Sequence, residues 1–302
     1  MRPDRRSFCA TLATALGAGL LGCRARPDAP GARADTAADT PTSARAAGGV
    51  GPLGVQLYTV RAAMQQDFEG TLARLAAIGF AEVEFAGYFG RDPRAVRATL
   101  DRVGLRAPSA HVPIADVRTR LPQVLDAARV VGHEWVVVPW LDAAERGKTT
   151  DTWRRLADEL TAAGRRVREA GMRLAYHNHD FELQPVDGQL PLELLLRGTD
   201  PALVDFELDL YWATFAGQDP LEWFARHPGR FAMLHLKDSA GPPDHRMTAV
   251  GAGRIDFARI LARRTAAGVR HVFVEHDEPA DAFASVRASH DHLARLAVPA
   301  AG

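Results

Sequence analysis

The stretch Leu203-Val204-Asp205-Phe206-Glu207-Leu208-Asp209-Leu210 alternates strictly between apolar and acidic side chains. This period of two is typical of a β-strand, because successive side chains point to opposite faces. A strand with one solvated face would show the same pattern. In a closed barrel, however, the apolar face must meet the surrounding helices, so the acidic face lines the interior. The number of similar segments in the chain helps to decide between these alternatives.

Eight short β-rich segments alternate with amphipathic helical segments from about Leu53 to the end of the chain. The predicted strands are 53–59, 80–86, 105–111, 134–139, 172–179, 203–210, 230–237 and 270–276. Glycine often stands at the predicted helix-to-strand joins, where it is the usual helix stop, as at Gly79, Gly104, Gly171 and Gly268. Eight β/α units in about 250 residues predict an α/β protein with a single-domain (β/α)₈ TIM barrel. An open doubly wound sheet is the alternative, but no glycine-rich dinucleotide fingerprint follows the first strand.

The composition is that of a globular chain without the basic excess of a nucleic-acid-binding protein. Of the 302 residues, 47% are hydrophobic, and Lys+Arg and Asp+Glu are balanced at 37 each. We therefore expect no nucleic-acid partner. Both cysteines, Cys9 and Cys23, precede the predicted barrel, which excludes disulfides, zinc–thiolate sites and cysteine nucleophiles from it.

The first 23 residues have the pattern of an export signal. Asp4-Arg5-Arg6-Ser7-Phe8 resembles a twin-arginine motif and precedes an apolar run, 10–21, that is too short to span a membrane. Leu20-Leu21-Gly22-Cys23 resembles a lipobox, in which Cys23 would carry a lipid anchor. Residues 24–50 are rich in Ala, Pro, Gly, Asp and Thr and predict a disordered linker. We expect an exported protein, periplasmic or membrane-anchored as a lipoprotein, with its barrel over 51–302.

Polar side chains stand near the ends of several predicted strands, opposite the apolar residues. Active sites of TIM barrels lie at the C-terminal ends of the strands. The polar residues on these faces are Gln56, Glu84, His111, His177, His179, Asp205, Glu207, Asp209, His235, Lys237, Glu275 and Asp277. Any one of them alone is readily explained as a hydrogen-bonded core group. Together they predict one divalent metal ion, because clustered buried carboxylates need a cation, and mixed N/O ligands suit Mn²⁺, Co²⁺, Zn²⁺ or Fe²⁺.

Several segments together resemble the sugar phosphate isomerase/epimerase family of the xylose-isomerase-like TIM barrels. The resemblance covers residues 53–296. Its carriers are Gly54-Val55-Gln56-Leu57-Tyr58-Thr59-Val60-Arg61, Tyr176-His177-Asn178-His179-Asp180-Phe181-Glu182, Glu207-Leu208-Asp209-Leu210-Tyr211-Trp212, Leu234-His235-Leu236-Lys237-Asp238, Val250-Gly251-Ala252-Gly253-Arg254-Ile255-Asp256 and Val274-Glu275-His276-Asp277. These segments are specific for the family and not for one substrate.

The resemblance implies a metal ion bound by residues of strands five to eight. The ligands it implies are His177, Asp209, His235 and Glu275. His177 stands where relatives often carry a glutamate. His179, or Glu182 from the following loop, would be the alternative ligand. Trp212 stands where relatives often carry a further histidine.

The resemblance also implies an isomerase, epimerase or lyase that acts on a sugar or keto-sugar through an enediolate. The metal would chelate a carbonyl and a neighbouring hydroxyl oxygen and acidify the C–H between them. Glu275 would be the base, with His111 or His179 as proton partner and Lys237 near the oxyanion. Alternatively, Lys237 would form only an ion pair with Asp238 or Glu207 and would have no catalytic role. The predicted substrate-binding residues are Gln56, Glu84, Glu182, Trp140 and Trp212.

Two other functions compete with this hypothesis. A non-catalytic sugar-binding lipoprotein could use the same barrel, because a fold does not determine a function. An apurinic-type endonuclease is disfavoured, because Trp212 occupies a ligand position and the balanced charge offers no surface for a phosphate backbone.

Overall fold

A computed structural model describes residues 49–298, so the predicted signal at 1–23 and nearly all of the predicted linker lie outside the described residues. The strands in this part of the chain are β1 (Gly54–Gln56), β2 (Glu82–Phe85), β3 (Arg106–His111), β4 (Trp135–Val138), β5 (Arg173–His177), β6 (Val204–Asp209), β7 (Phe231–Leu236), β8 (Asp238–Ser239), β9 (Met247–Thr248) and β10 (His271–Val274). All except β8 and β9 form one closed parallel barrel, in which β1 pairs with both β2 and β10. The predicted (β/α)₈ fold is confirmed.

Helices surround the barrel, and a short antiparallel hairpin of β8 and β9 precedes its last strand. The helices are α1 (Arg61–Gln66), α2 (Phe68–Ile78), α3 (Pro93–Val103), α4 (Ile114–Thr119), α5 (Leu121–Val131), α6 (Thr150–Glu169), α7 (Pro191–Gly198), α8 (Leu210–Phe215), α9 (Pro220–Arg226), α10 (Phe257–Leu261), α11 (Arg264–Ala267) and α12 (Ala282–Arg295). A 3₁₀ turn, Phe181–Leu183, follows β5. Within residues 49–298, no helix has the length and apolar character needed to cross a membrane.

Aspartate side chains and left-handed glycines mark the beginning and the end of several helices. The carboxylate of Asp67 accepts a hydrogen bond from the Gly70 amide at the start of α2, and the helix ends at Gly79, which has a left-handed φ of 117°. Asp92 caps α3 in the same way, and Gly104 ends it with a φ of 74°. An aspartate at the start and a left-handed glycine at the end satisfy backbone groups that the helix leaves unpaired.

Side-chain alternation along the strands separates an outer core from the barrel interior. The outward residues of the strands, such as Val83, Leu174 and Leu208, pack in the main hydrophobic core with residues of the helices. A second apolar cluster consists of Trp135, Val137, Ala175, Ala232, Met233 and Phe273. A Cβ atom at Gly54 would overlap the Phe273 ring, so the missing side chain leaves room for that ring.

Strand β6 carries three carboxylates, and Asp205 forms an ion pair of its own, apart from Glu207 and Asp209. Asp205 pairs with Arg173 and accepts a hydrogen bond of 2.8 Å from Trp135 Nε1. It lies at the start of β6, four residues before Asp209 at the strand's end. Asp205 therefore neutralises Arg173 and does not join the candidate site.

The two described residues before position 51 contact the barrel body. Val50 is buried in the main core, and the Gly49 carbonyl accepts a hydrogen bond of 3.1 Å from Arg264 Nη2. Val50 therefore packs with the barrel, and this hydrogen bond joins the exposed Gly49 to it.

Candidate active site

A layer of buried polar side chains occupies the C-terminal end of the barrel, and we call it the polar layer. Parallel strands bring their C-terminal ends to one mouth, which is why residues far apart in the chain meet there. The layer consists of Gln56, Glu84, His111, His177, Glu207, Asp209, His235, Lys237 and Glu275, each at most 8% exposed. Eight of these nine were predicted as site residues from the sequence.

Glu207 is the ninth member, and three imidazoles surround it. Its Oε2 lies 3.0 Å from His111 Nε2, 3.2 Å from His177 Nδ1 and 3.2 Å from His235 Nε2. Its Oε1 is buried and has no hydrogen-bond partner within residues 49–298. The sequence placed Glu207 on the inward acidic face but gave it no role in binding metal.

Glu84 approaches the same imidazoles from the opposite side of the barrel. Its Oε2 accepts a hydrogen bond of 2.7 Å from Gln56 Nε2 and lies 2.7 Å from His235 Nε2 and 3.1 Å from His111 Nε2. The Gln56 amide is oriented by a second bond, since its Oε1 accepts from the Tyr58 amide at 3.0 Å. Both predicted substrate-binding residues thus belong to the buried hydrogen-bond network.

A carboxylate cage surrounds the fully buried Lys237. Its Nζ lies 3.0 Å from Asp209 Oδ2, 2.7 Å from Glu275 Oε2 and 3.0 Å from Asp277 Oδ1. Glu275 Oε2 also lies 2.8 Å from His235 Nδ1. The imidazole of His235 therefore links this cage to the group around Glu207.

Burial and neighbouring charges set the protonation of the three imidazoles in opposite directions. Burial lowers the pKa of His111, but the charge of Glu84 and a hydrogen bond to Glu207 outweigh it and raise this pKa to about 9. For His235, burial is likewise outweighed by nearby carboxylates, and the pKa lies well above its ordinary value. Burial and the positive charge of His235 hold the pKa of His177 well below its ordinary value. His177 is therefore neutral at pH 7, which is the form that binds metal.

Four rings form an aromatic shelf next to the polar layer: Trp140, His179, Phe181 and Trp212. The His179 ring meets Trp140 edge-on at 4.6 Å, stacks on Phe181 at 5.9 Å and lies 5.6 Å from Trp212. It also lies 4.9 Å from the His177 ring, so the shelf is continuous with the polar layer. The shelf brings both predicted tryptophans next to the site.

The side chains of the polar layer fit a divalent metal ion. Two groups have ligand atoms that all lie within 4.8 Å of one another: His111, His177, Glu207 and His235, and Asp209, His235 and Glu275. Imidazole and carboxylate donors suit Mn²⁺, Fe²⁺, Co²⁺ and Zn²⁺. The predicted set of His177, Asp209, His235 and Glu275 is divided between the groups, and His177 Nε2 lies 3.8 Å from Asp209 Oδ2.

Comparison with known proteins identifies the family. Residues 72–296 match the family described as the xylose isomerase-like TIM barrel. The chain belongs to this family.

Relatives of this xylose isomerase-like barrel include inosose dehydratases and a sugar phosphate isomerase/epimerase. An inosose dehydratase of Geobacillus kaustophilus is 29% identical over 188 residues, which are 55% of this chain and 60% of that enzyme. An inosose dehydratase of Lacticaseibacillus casei is 26% identical over 228 residues, which are 64% of this chain and 76% of that enzyme. The crystal structure of a sugar phosphate isomerase/epimerase from Parabacteroides distasonis has a TM-score of 0.72 and 27% identity, covering 88% of this chain and all of that one.

Glu182 of this xylose isomerase-like barrel lies behind β5 and outside both groups of metal-binding side chains. Its Oε1 accepts a hydrogen bond of 2.6 Å from Tyr176 Oη, and its Oε2 accepts one of 2.8 Å from the His179 amide. Tyr176 belongs to the outer core. The 3₁₀ turn that follows β5 carries Glu182 to this side, so it does not reach the mouth as the sequence analysis expected.

The burial of Glu182 predicts a pH-dependent stability. Burial raises its pKa from an ordinary 4.5 to about 7. Because the folded state binds this proton more tightly, the stabilisation is complete below pH 4.5 and is lost as the pH rises through about 7. We expect this loss to reach about 3 kcal/mol. Urea unfolding of wild type and Glu182→Gln at pH 5 and pH 8 should show wild type losing more stability, and equal losses would contradict the shifted pKa.

Asp238 holds a loop of the xylose isomerase-like barrel next to Lys237. Its buried carboxylate accepts hydrogen bonds from the amides of Ser239, Gly251, Gly253 and Ile255. A Cβ atom at Gly253 would overlap this carboxylate, so the glycine is required for the close approach. The segment Val250–Asp256, which carries part of the family resemblance, is thus fixed by one side chain.

Proposed function

We propose that the protein is a metal-dependent enzyme that removes a proton from the carbon next to a carbonyl of a sugar or keto-sugar. The polar layer is the observation that carries this proposal. Its four carboxylates, three imidazoles and one ammonium group are all buried, and burying so much charge is costly without a compensating cation. A barrel interior can be filled by apolar side chains alone, so these groups indicate chemistry.

The names of the relatives support a sugar-type substrate and three reaction types. Dehydration, epimerisation and aldose–ketose isomerisation beside a carbonyl can all begin with loss of a proton from the neighbouring carbon. Isomerase, epimerase and dehydratase activities would therefore share the same proposed first step.

Glu275 is the proposed base for this step. A divalent ion, when bound, would polarise the substrate carbonyl and lower the barrier to breaking the neighbouring C–H bond. The Glu275 carboxylate is oriented by His235 Nδ1 at 2.8 Å and by Lys237 Nζ at 2.7 Å. The ammonium group of Lys237 also places a positive charge beside the region where an oxyanion develops.

The aromatic shelf is the proposed platform for the sugar ring. Trp140 and Trp212 are half-buried, and both rings lie next to the His179 ring. An aromatic face can pack against the C–H groups of a sugar, and an indole N–H usually seeks a partner when buried. Trp212 Nε1 has no hydrogen-bond partner in the described part of the chain, so it is a suitable donor to a sugar hydroxyl.

Metal content and turnover test the proposal together. The purified chain is stripped with a chelator, reloaded separately with Mn²⁺, Co²⁺, Zn²⁺ or Fe²⁺, and screened with inosose and other keto-sugars for product. We expect turnover only after reloading. Sugar binding without turnover under every metal condition would favour the non-catalytic sugar-binding barrel.

A further inference from the structure

We propose that Arg146 forms an anion subsite beside the aromatic shelf and binds a carboxylate carried by the sugar substrate. The substrate class is then that of acidic sugars: sugar acids and glycosides with a uronate unit. This inference rests on the proposed function, because it names the substrate class of the same site. Arg146 is half-buried and lies in the loop between β4 and α6.

The guanidinium of Arg146 lies over two rings of the aromatic shelf. Its Cζ is 3.8 Å from the centre of the Phe181 ring and 4.4 Å from the centre of the Trp140 ring. These two rings meet edge-on at 5.3 Å, and both lie next to the His179 ring. A cation over an aromatic face is attracted by the ring electrons. Arg146 is therefore held beside the surface proposed for the sugar ring.

Hydrogen bonds to backbone carbonyls fix the loop and one edge of the guanidinium. Arg146 Nε donates a hydrogen bond of 3.0 Å to the Leu141 carbonyl. The Trp153 indole in α6 donates one of 3.0 Å to the Gly147 carbonyl. With Nε engaged and the plane stacked on rings, the two terminal nitrogens are the donors that remain. A group oriented in this way loses little freedom when it binds a ligand.

No carboxylate pairs with Arg146 within residues 49–298. Neither of its terminal nitrogens, Nη1 and Nη2, makes a hydrogen bond or an ion pair in this part of the chain. The neighbouring Glu145 is directed away, with its Oε1 2.5 Å from Arg118 Nη1. Its Oε2 accepts a hydrogen bond of 3.0 Å from the Asp142 amide. The fork of terminal nitrogens therefore keeps its full charge for an external anion.

The shape and charge of this fork favour a carboxylate over a phosphate. Two parallel N–H bonds from a guanidinium match the two oxygens of a carboxylate. A phosphate group carries about two negative charges and is often bound by several backbone amides at a helix N-terminus. Arg146 supplies one positive charge and one fork, which match a single carboxylate.

Two matched glycosides test the subsite with the full, Mn²⁺-loaded chain. Methyl glucuronide has a carboxylate where methyl glucoside has a neutral CH₂OH group, and glucose phosphate tests the alternative anion. Calorimetry measures their binding to wild type, Arg146→Gln, Arg146→Lys and the control Arg74→Gln. Arg74 also lies over a ring, 3.6 Å from the centre of Phe283, but between α2 and α12. These helices follow β1 and β10, across the barrel from β4 and β5.

We expect wild type to bind the glucuronide about 10–100-fold more tightly than the glucoside. Arg146→Gln should lose this preference, with its affinity for the glucoside within about threefold of wild type. Arg146→Lys should recover only part of the preference, because an ammonium group lacks the fork, and Arg74→Gln should behave as wild type. Circular dichroism melts establish that each variant is folded.

Three results would overturn the carboxylate subsite. They are equal binding of the two glycosides by wild type, an equal loss of both in Arg146→Gln, and tighter binding of glucose phosphate than of the glucuronide. The second result would show that Arg146 only supports the rings.

Turnover distinguishes the failure of this inference from the failure of the proposed function. If the metal-loaded chain turns over neutral keto-sugars as well as carboxylated ones, the subsite is wrong and the proposed function stands. If Arg146 confers binding of the glucuronide but no sugar is turned over with any metal, the proposed function is wrong and the subsite stands.

Discussion

Replacing Glu275 with glutamine should lower turnover by about 10²–10⁴-fold while part of the bound metal is retained. Glutamine keeps the shape of the side chain but cannot accept the substrate proton. The amide oxygen can still bind the ion weakly, so partial retention of metal with loss of turnover separates a lost base from a lost ligand. The measurements are kcat on an identified keto-sugar and metal content by mass spectrometry.

Asp277→Asn is the matched control for this variant. Asp277 also contacts Lys237, with 3.0 Å between Oδ1 and Nζ, but it is more exposed and has no assigned proton transfer. We expect it to retain most of the turnover. Full activity of Glu275→Gln, or an equal loss in both variants, would show that Glu275 is not the base.

Replacing Lys237 with methionine should destabilise the metal-free barrel by about 3–5 kcal/mol. The substitution preserves much of the side-chain volume but leaves Asp209, Glu275 and Asp277 without the ammonium group that they share. For a domain of this size, the melting temperature should fall by roughly 6–20 °C. Thermal unfolding is measured after chelator treatment, because a bound ion would stabilise the folded state by mass action.

The chain contains its own control for this experiment. Its second lysine, Lys148, is exposed in the loop between β4 and α6. Lys148→Met should change the melting temperature by little, because surface substitutions are usually within about 0.5 kcal/mol. Equal melting temperatures for wild type and Lys237→Met would contradict a charge-stabilising role of the buried lysine.

The inward face of β6 was predictable because alternation depends only on the local period of two. The contacts of that face were not, because they depend on strand register. A register irregularity between Phe206 and Glu207, opposite β7, places Asp209 beside His235, while pairing with β5 places Glu207 beside His177. Register is determined by packing across several strands, so the sequence showed the members of the polar layer without showing Glu207 at its centre.

The position of Glu182 shows where alternation ceases to apply. β5 ends at His177, and the chain then enters the 3₁₀ turn Phe181–Leu183. Beyond the strand's end, parity no longer indicates which side chains point inward. His177 was therefore placed correctly in the interior, whereas Glu182 lies on the outer side with Tyr176.

The most direct test of the central claim is the fate of the hydrogen on the carbon beside the substrate carbonyl. The metal-loaded chain turns over a keto-sugar in D₂O, and nuclear magnetic resonance follows deuterium at that carbon. The rate is also compared between ordinary and α-deuterated substrate, since a shielded base can return the same proton. The account predicts solvent deuterium at this carbon, a primary isotope effect, or both. Turnover with neither would contradict proton abstraction beside the carbonyl.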